Sequence, residues 1–115
     1  MHQDSTILVV DDDDDLRDIV TMALEDDGYS IDTASNGVEA IRSADEHEPH
    51  AVILDITMPI MDGWEFLAQW RTRPAKRRAP VLVVSVVANQ RTAIEAGAQA
   101  YLSKPFDVET DHDAA

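Results

Sequence analysis

Short apolar runs that alternate with amphipathic stretches set the tightest limit on what this chain can fold into. Ile7-Leu8-Val9-Val10 is a β-branched run of the kind that forms a strand buried on both faces. Leu16, Ile19, Val20, Ala23 and Leu24 then fall at i, i+3, i+4, i+7 and i+8, the core stripe of a helix. Asp13 or Asp14 can cap its start, and Gly28 stands where a helix end wants a glycine. A second, half-buried strand runs from Tyr29 to Ala34. Asn36 with Glu39 has the form of a capping box, opening a helix that continues to about His47 and stops before Pro49. Ala51-Val52-Ile53-Leu54 gives a third strand. Met58-Pro59 and Asp62-Gly63 mark turns, and Phe66, Leu67 and Trp70 form the core face of the next helix. Pro80 introduces a fourth strand, Val81 to Val84. Residues from about Gln90 to Ala96 allow only a short helix, closed by Gly97, before a fifth strand from Ala100 to Ser103. This order predicts βαβ units, a parallel sheet and right-handed crossovers.

Open sheets of this kind bind ligands at the carboxyl ends of their strands. The residues that fall there are Asp11 and Asp12 after the first strand, Asp55 after the third, Ser85 after the fourth and Lys104 after the fifth. Three carboxylates brought together repel one another and call for a hard divalent cation. Mg²⁺ fits, with Mn²⁺ as a second candidate. Beside such a cation an aspartate can attack phosphorus and form an acyl phosphate. The metal and Lys104 would neutralise the phosphoryl oxygens, and Ser85 could donate a hydrogen bond to the product.

Bulk properties exclude several other classes. A length of 115 residues predicts one domain, with a core over about 6–106 and a polar tail over 107–115. No apolar run approaches the ~20 residues that span a bilayer. The amino terminus lacks the basic start and apolar stretch of a signal peptide, and cysteine is absent, which together predict a cytoplasmic protein with no membrane contact. A formal charge of −14 argues against direct nucleic-acid binding. Arg71, Arg73, Lys76, Arg77 and Arg78 are expected to be a solvated helix end and loop. The four histidines are scattered and suggest no metal cluster. No phosphate-binding Gly-x-x-x-x-Gly-Lys segment occurs.

Val-Val-Asp-Asp, Leu-Asp-Ile-Thr-Met-Pro-Ile-Met-Asp-Gly, a strand-ending serine and Tyr-Leu-Ser-Lys-Pro-Phe together resemble the receiver domains of response regulators, in order and spacing, from Ile7 to Phe106. The resemblance implies a flavodoxin-like, doubly wound α/β fold with a five-stranded parallel sheet in the order 2-1-3-4-5. It implies a two-component switch that takes a phosphoryl group from a sensor histidine kinase or a histidine phosphotransfer protein and passes the signal to a downstream protein. Asp55 matches the phosphoacceptor. Asp12, Asp55 and the Thr57 main-chain carbonyl match the Mg²⁺ ligands, with Asp11 acting largely through water. Lys104 matches the phosphoryl partner, and Ser85 with Tyr101 the switch pair. No enzymatic activity is implied beyond self-phosphorylation from phosphodonors and slow self-dephosphorylation. The alternatives are a phosphorelay carrier and a Mg²⁺-dependent aspartyl-phosphate phosphatase of the haloacid-dehalogenase type, which would want Asp-x-Asp after the first strand. A flavin carrier is disfavoured by the aspartates at that position.

Two departures from the family pattern stand out. The segment between Ser85 and Gly97 is about one helical turn short, so the fourth helix should be stubby. Asp107 to Ala115 offers only Val108 to a core, so the fifth helix should be largely missing. That would leave apolar surface near strands one and five uncovered and open to self-association. Val86 follows Ser85 where a smaller residue is common, narrowing access to the phosphate. Val87 stands where a side chain would orient an attacking water, which predicts slow loss of phosphate.

Overall fold

The computed structural model describes residues 5–86 and 89–103. Within them five strands, β1 (Thr6–Val10), β2 (Ser30–Ala34), β3 (Ala51–Leu54), β4 (Val81–Ser85) and β5 (Ala100–Ser103), alternate with helices α1 (Asp14–Asp26), α2 (Gly37–Glu46), α3 (Gly63–Trp70) and α4 (Gln90–Glu95). Every strand pair is parallel, and the order is β2-β1-β3-β4-β5. This is the doubly wound sheet expected from the sequence. The chain winds outward from β1 to β2 on one side and from β3 to β4 to β5 on the other. The crevice between the ends of β1 and β3 is therefore the topological switch point.

Local chemistry explains the helix boundaries. Asp13 caps α1, its carboxylate accepting from the Leu16 N–H at 3.1 Å. Asn36 caps α2 and accepts from Glu39, whose own carboxylate accepts from the Ser35 N–H and hydroxyl, one residue before the cap. Asp62 caps α3. Asn89 and Thr92 form a reciprocal capping box on α4, a six-residue helix as short as the sequence implied. Gly28 and Gly97 take positive φ just beyond α1 and α4, where a Cβ would be strained.

The side-chain alternation of the strands divides the core. Leu8, Val10, Val52, Leu54, Val81 and Val83 pack with Ala40 and Ala44 of α2, Phe66, Leu67 and Trp70 of α3, and Ala93 of α4. Ile53, Leu82, Val84 and Leu102 lie on the opposite face, toward α1. Of the apolar stripe read on α1, Leu16, Val20 and Leu24 are half-buried, Ala23 and Ile19 are exposed, Ile19 to 62%, and no residue of this helix is fully buried. Periodicity fixes which side of a helix is apolar but not whether a second element covers it. Uncovered apolar surface was expected near β1 and β5; every β1 residue is buried, while Ile19 and Met22 of the neighbouring α1 and Leu102 of β5 are exposed among the described residues. The expected absence of a fifth helix concerns 107–115, outside the described residues. The basic segment is less free than expected: Arg73 pairs with Asp45 and lies over the Trp70 ring, and Arg77 pairs with Glu48.

Candidate functional site

The ladder of backbone hydrogen bonds runs one residue past the strands at the switch point. Asp11 donates its N–H to the Ala34 carbonyl at 3.0 Å, and Asp55 donates to Val10 at 2.9 Å. Asp11 and Asp55 are thereby held side by side at the ends of β1 and β3, each only 6% exposed, while Asp12 is open to solvent. One carboxylate oxygen from each of Asp11, Asp12 and Asp55 can be chosen so that all lie within 4.8 Å of one another. Like charges at that separation repel by on the order of 1–4 kcal/mol per pair, depending on solvent access. A divalent cation held among them would remove that repulsion. The donor set is all oxygen, which suits a hard cation, and the exposure of Asp12 leaves room for the waters Mg²⁺ retains.

Several residues that the motif reading passed over hold this edge in shape. Asp11 accepts from the Asp13 N–H at 2.9 Å, turning one oxygen toward the start of α1. Arg17 donates to the Asp11 main-chain carbonyl at 2.7 Å and to the Asp14 carboxylate at 2.6 Å, so the acidic run is braced by a cation one turn into the helix. Gly63 donates to the Ile56 carbonyl at 2.8 Å, and a Cβ there would stand 2.6 Å from the Asp55 carbonyl oxygen. The glycine of Asp62-Gly63 is thus required by close approach behind Asp55, where sequence alone indicated only a turn. On the same loop the Gly37 N–H donates to the Met61 carbonyl at 2.9 Å. Between them Ile60 is held at φ 70° and is 80% exposed, a costly conformation for a β-branched residue.

The other expected site residues are placed as follows. Ser85 ends β4, is fully buried, and pairs in register with Ser103 of β5. The Tyr101 hydroxyl donates to the Ser85 main-chain carbonyl at 3.2 Å, joining the two residues expected to act together and setting the ring against the core. Thr57 lies exposed two residues beyond Asp55. Val86 is exposed beside Ser85. Lys104 and Val87 lie outside the described residues. Trp70 is core, its indole N–H donating to the Ala79 carbonyl at 2.9 Å.

A doubly wound parallel sheet with a cluster of three aspartates at its switch point is the class that fold and site define together. Within that class the chain belongs to the response regulator receiver domain family, whose sequence profile matches residues 7–115. It is 41% identical over 103 residues to the transcriptional regulatory protein PrrA of Mycobacterium tuberculosis, a match covering 87% of this chain and 43% of that protein. The chain thus spans less than half the length of this curated relative. Among solved structures, the chemotaxis response regulator CheY4 of Vibrio cholerae superposes with a TM-score of 0.83 at 31% identity, covering 96% of this chain and 94% of the other. The receiver domain of the sensor histidine kinase PA1611 from Pseudomonas aeruginosa, solved with magnesium in its active-site cleft, gives 0.80 at 27% identity over 96% and 93%. This chain is a receiver domain of two-component signalling. No helix among the described residues is long and apolar enough to cross a membrane.

Proposed function

We propose that residues 1–115 act as one receiver domain, with a core over about 6–106, that takes a phosphoryl group onto Asp55 from a phosphohistidine of a sensor kinase or phosphotransfer protein. The observation that carries this reading is the convergence of the Asp11, Asp12 and Asp55 carboxylates within 4.8 Å. Mg²⁺ is the cation the site would hold, through Asp12, Asp55 and the Thr57 main-chain carbonyl, with Asp11 acting largely through water; when bound it would neutralise charge on the phosphoryl oxygens. An Asp55 carboxylate oxygen attacks phosphorus, the phosphorus–nitrogen bond of the donor breaks, and its electron pair leaves with the imidazole. Lys104 pairs with the transferred group, Ser85 donates to it, and Tyr101 follows Ser85 as the second half of the switch. The domain thus catalyses only its own phosphorylation and slow dephosphorylation, in the cytoplasm, and its output is a change in affinity for a downstream protein. The negative charge of the chain argues against direct nucleic-acid binding.

Incubation with Mg²⁺ and a small acyl phosphate, read by intact mass, tests this. Wild type should gain one phosphoryl group, and Asp55→Asn none. An unlabelled wild type, or equal labelling of both, sinks the proposal.

A further inference from the structure

Asp11 is tied at its amide, its carboxylate and its carbonyl, and the last tie comes from a cationic side chain. The N–H donates to the Ala34 carbonyl, the carboxylate accepts from the Asp13 N–H at 2.9 Å, and the carbonyl accepts from the Arg17 guanidinium at 2.7 Å. That carbonyl belongs to the planar peptide joining Asp11 to Asp12, so holding its oxygen fixes the plane from which the Asp12 residue starts. Asp12 depends on such support: it is exposed, and among the described residues no hydrogen bond holds its carboxylate. Arg17 is itself fixed, since its second terminal nitrogen donates to Asp14 at 2.6 Å and its side chain is only 18% exposed. Asp14 offsets the charge that Arg17 would otherwise present to the three-aspartate cluster.

We propose that Arg17 is a positioning residue for the divalent cation, holding the Asp11–Asp12 peptide so that both carboxylates face the end of β3 before the ion arrives. This rests on the reading that Mg²⁺ occupies the Asp11, Asp12 and Asp55 cluster. Removing Arg17 has two physical consequences of opposite sign. As a charge, Arg17 repels Mg²⁺, so its loss tightens binding. As a brace, it spares the ion the cost of ordering the turn, so its loss weakens binding. The geometry favours the brace. The charge is offset by Asp14 at 2.6 Å, whereas the bond to the Asp11 carbonyl is short and made by a largely enclosed side chain.

The test is a Mg²⁺ titration of the full chain at about 0.15 M salt, followed by backbone amide shifts at the ends of β1 and β3. Wild type should bind, and Asp12→Asn should bind far more weakly; a wild type without shifts there would remove the cation reading and this inference with it. Arg17→Gln should weaken binding about tenfold, the size expected when a residue that orients a metal ligand is lost. Arg17→Lys keeps the charge without the two-pronged donor and should recover only part of that loss. The weakening should persist at about 1 M salt, where an effect of charge alone is screened. Lys76→Gln removes a positive charge ahead of β4, at the opposite edge of the sheet, and should leave affinity within about twofold of wild type. Urea midpoints check that each variant is folded during the titration; should the glutamine variant be unfolded, the lysine variant carries the same test. Tighter or unchanged binding by Arg17→Gln, full wild-type affinity in Arg17→Lys, or a loss that vanishes at high salt would each overturn the proposal while leaving the cation reading in place.

Discussion

The two faces of the sheet are built from the same strands and differ in what covers them. Toward α2, α3 and α4, the large side chains Leu8, Leu54, Phe66 and Leu67 lose essentially all contact with solvent. Toward α1, a 13-residue helix contributes no fully buried residue. The first face therefore carries most of the stability, since apolar burial contributes about 25 cal/mol per Å². The second keeps apolar atoms in contact with solvent. Among the described residues, complete helix burial is thus confined to one side of a single sheet.

Substitutions on each side test that division. Phe66→Ala should cost about 3–5 kcal/mol in urea unfolding, because Phe66 is fully enclosed and stacks on Trp70 with ring centroids 5.1 Å apart. Ile19→Ala, at a residue 62% exposed, should stay within about 0.5 kcal/mol of wild type. Similar losses for the two would erase the contrast. Asn36→Ala should cost about 1 kcal/mol, because the covered face depends on α2 starting at its cap. An unchanged midpoint would show that packing alone sets that helix. The smallest effect concerns acid. The Ser35 N–H and hydroxyl, donating to Glu39, hold its carboxyl below the usual glutamate range. The unfolded chain therefore binds this proton first, and the stabilisation present above the unfolded value is lost as pH falls through the folded one. Glu39→Gln should slightly flatten the acid limb of a stability–pH curve and leave neutral pH nearly unchanged; an equal loss at both would disconnect the residue from acid sensitivity.

Strand positions were legible because β-branched runs bounded by turn residues have few other uses, and Asp11, Asp12 and Asp55 were legible because they follow those strands directly. Arg17 was not, since an arginine inside a helix gives no hint that it donates to a carbonyl six residues back. Nor was the role of Gly63, whose need arises from a backbone approach across the fold. The exposure of Ile19 was not legible either: it has the right spacing for a core residue, yet it is 62% exposed among the described residues. Sequence periodicity records which side of an element is apolar, whereas coverage depends on what else is nearby.

The two tryptophans give the molecule a pair of optical reporters with different surroundings. Trp70 is sealed in the core, pinned by its hydrogen bond to Ala79 and stacked against Phe66 and Arg73, so its emission should be blue-shifted and indifferent to events at the sheet edge. Trp64 is only partly buried and follows the glycine packed behind Asp55. Occupancy of the acidic pocket should therefore be readable as light from a single chromophore, with no label attached.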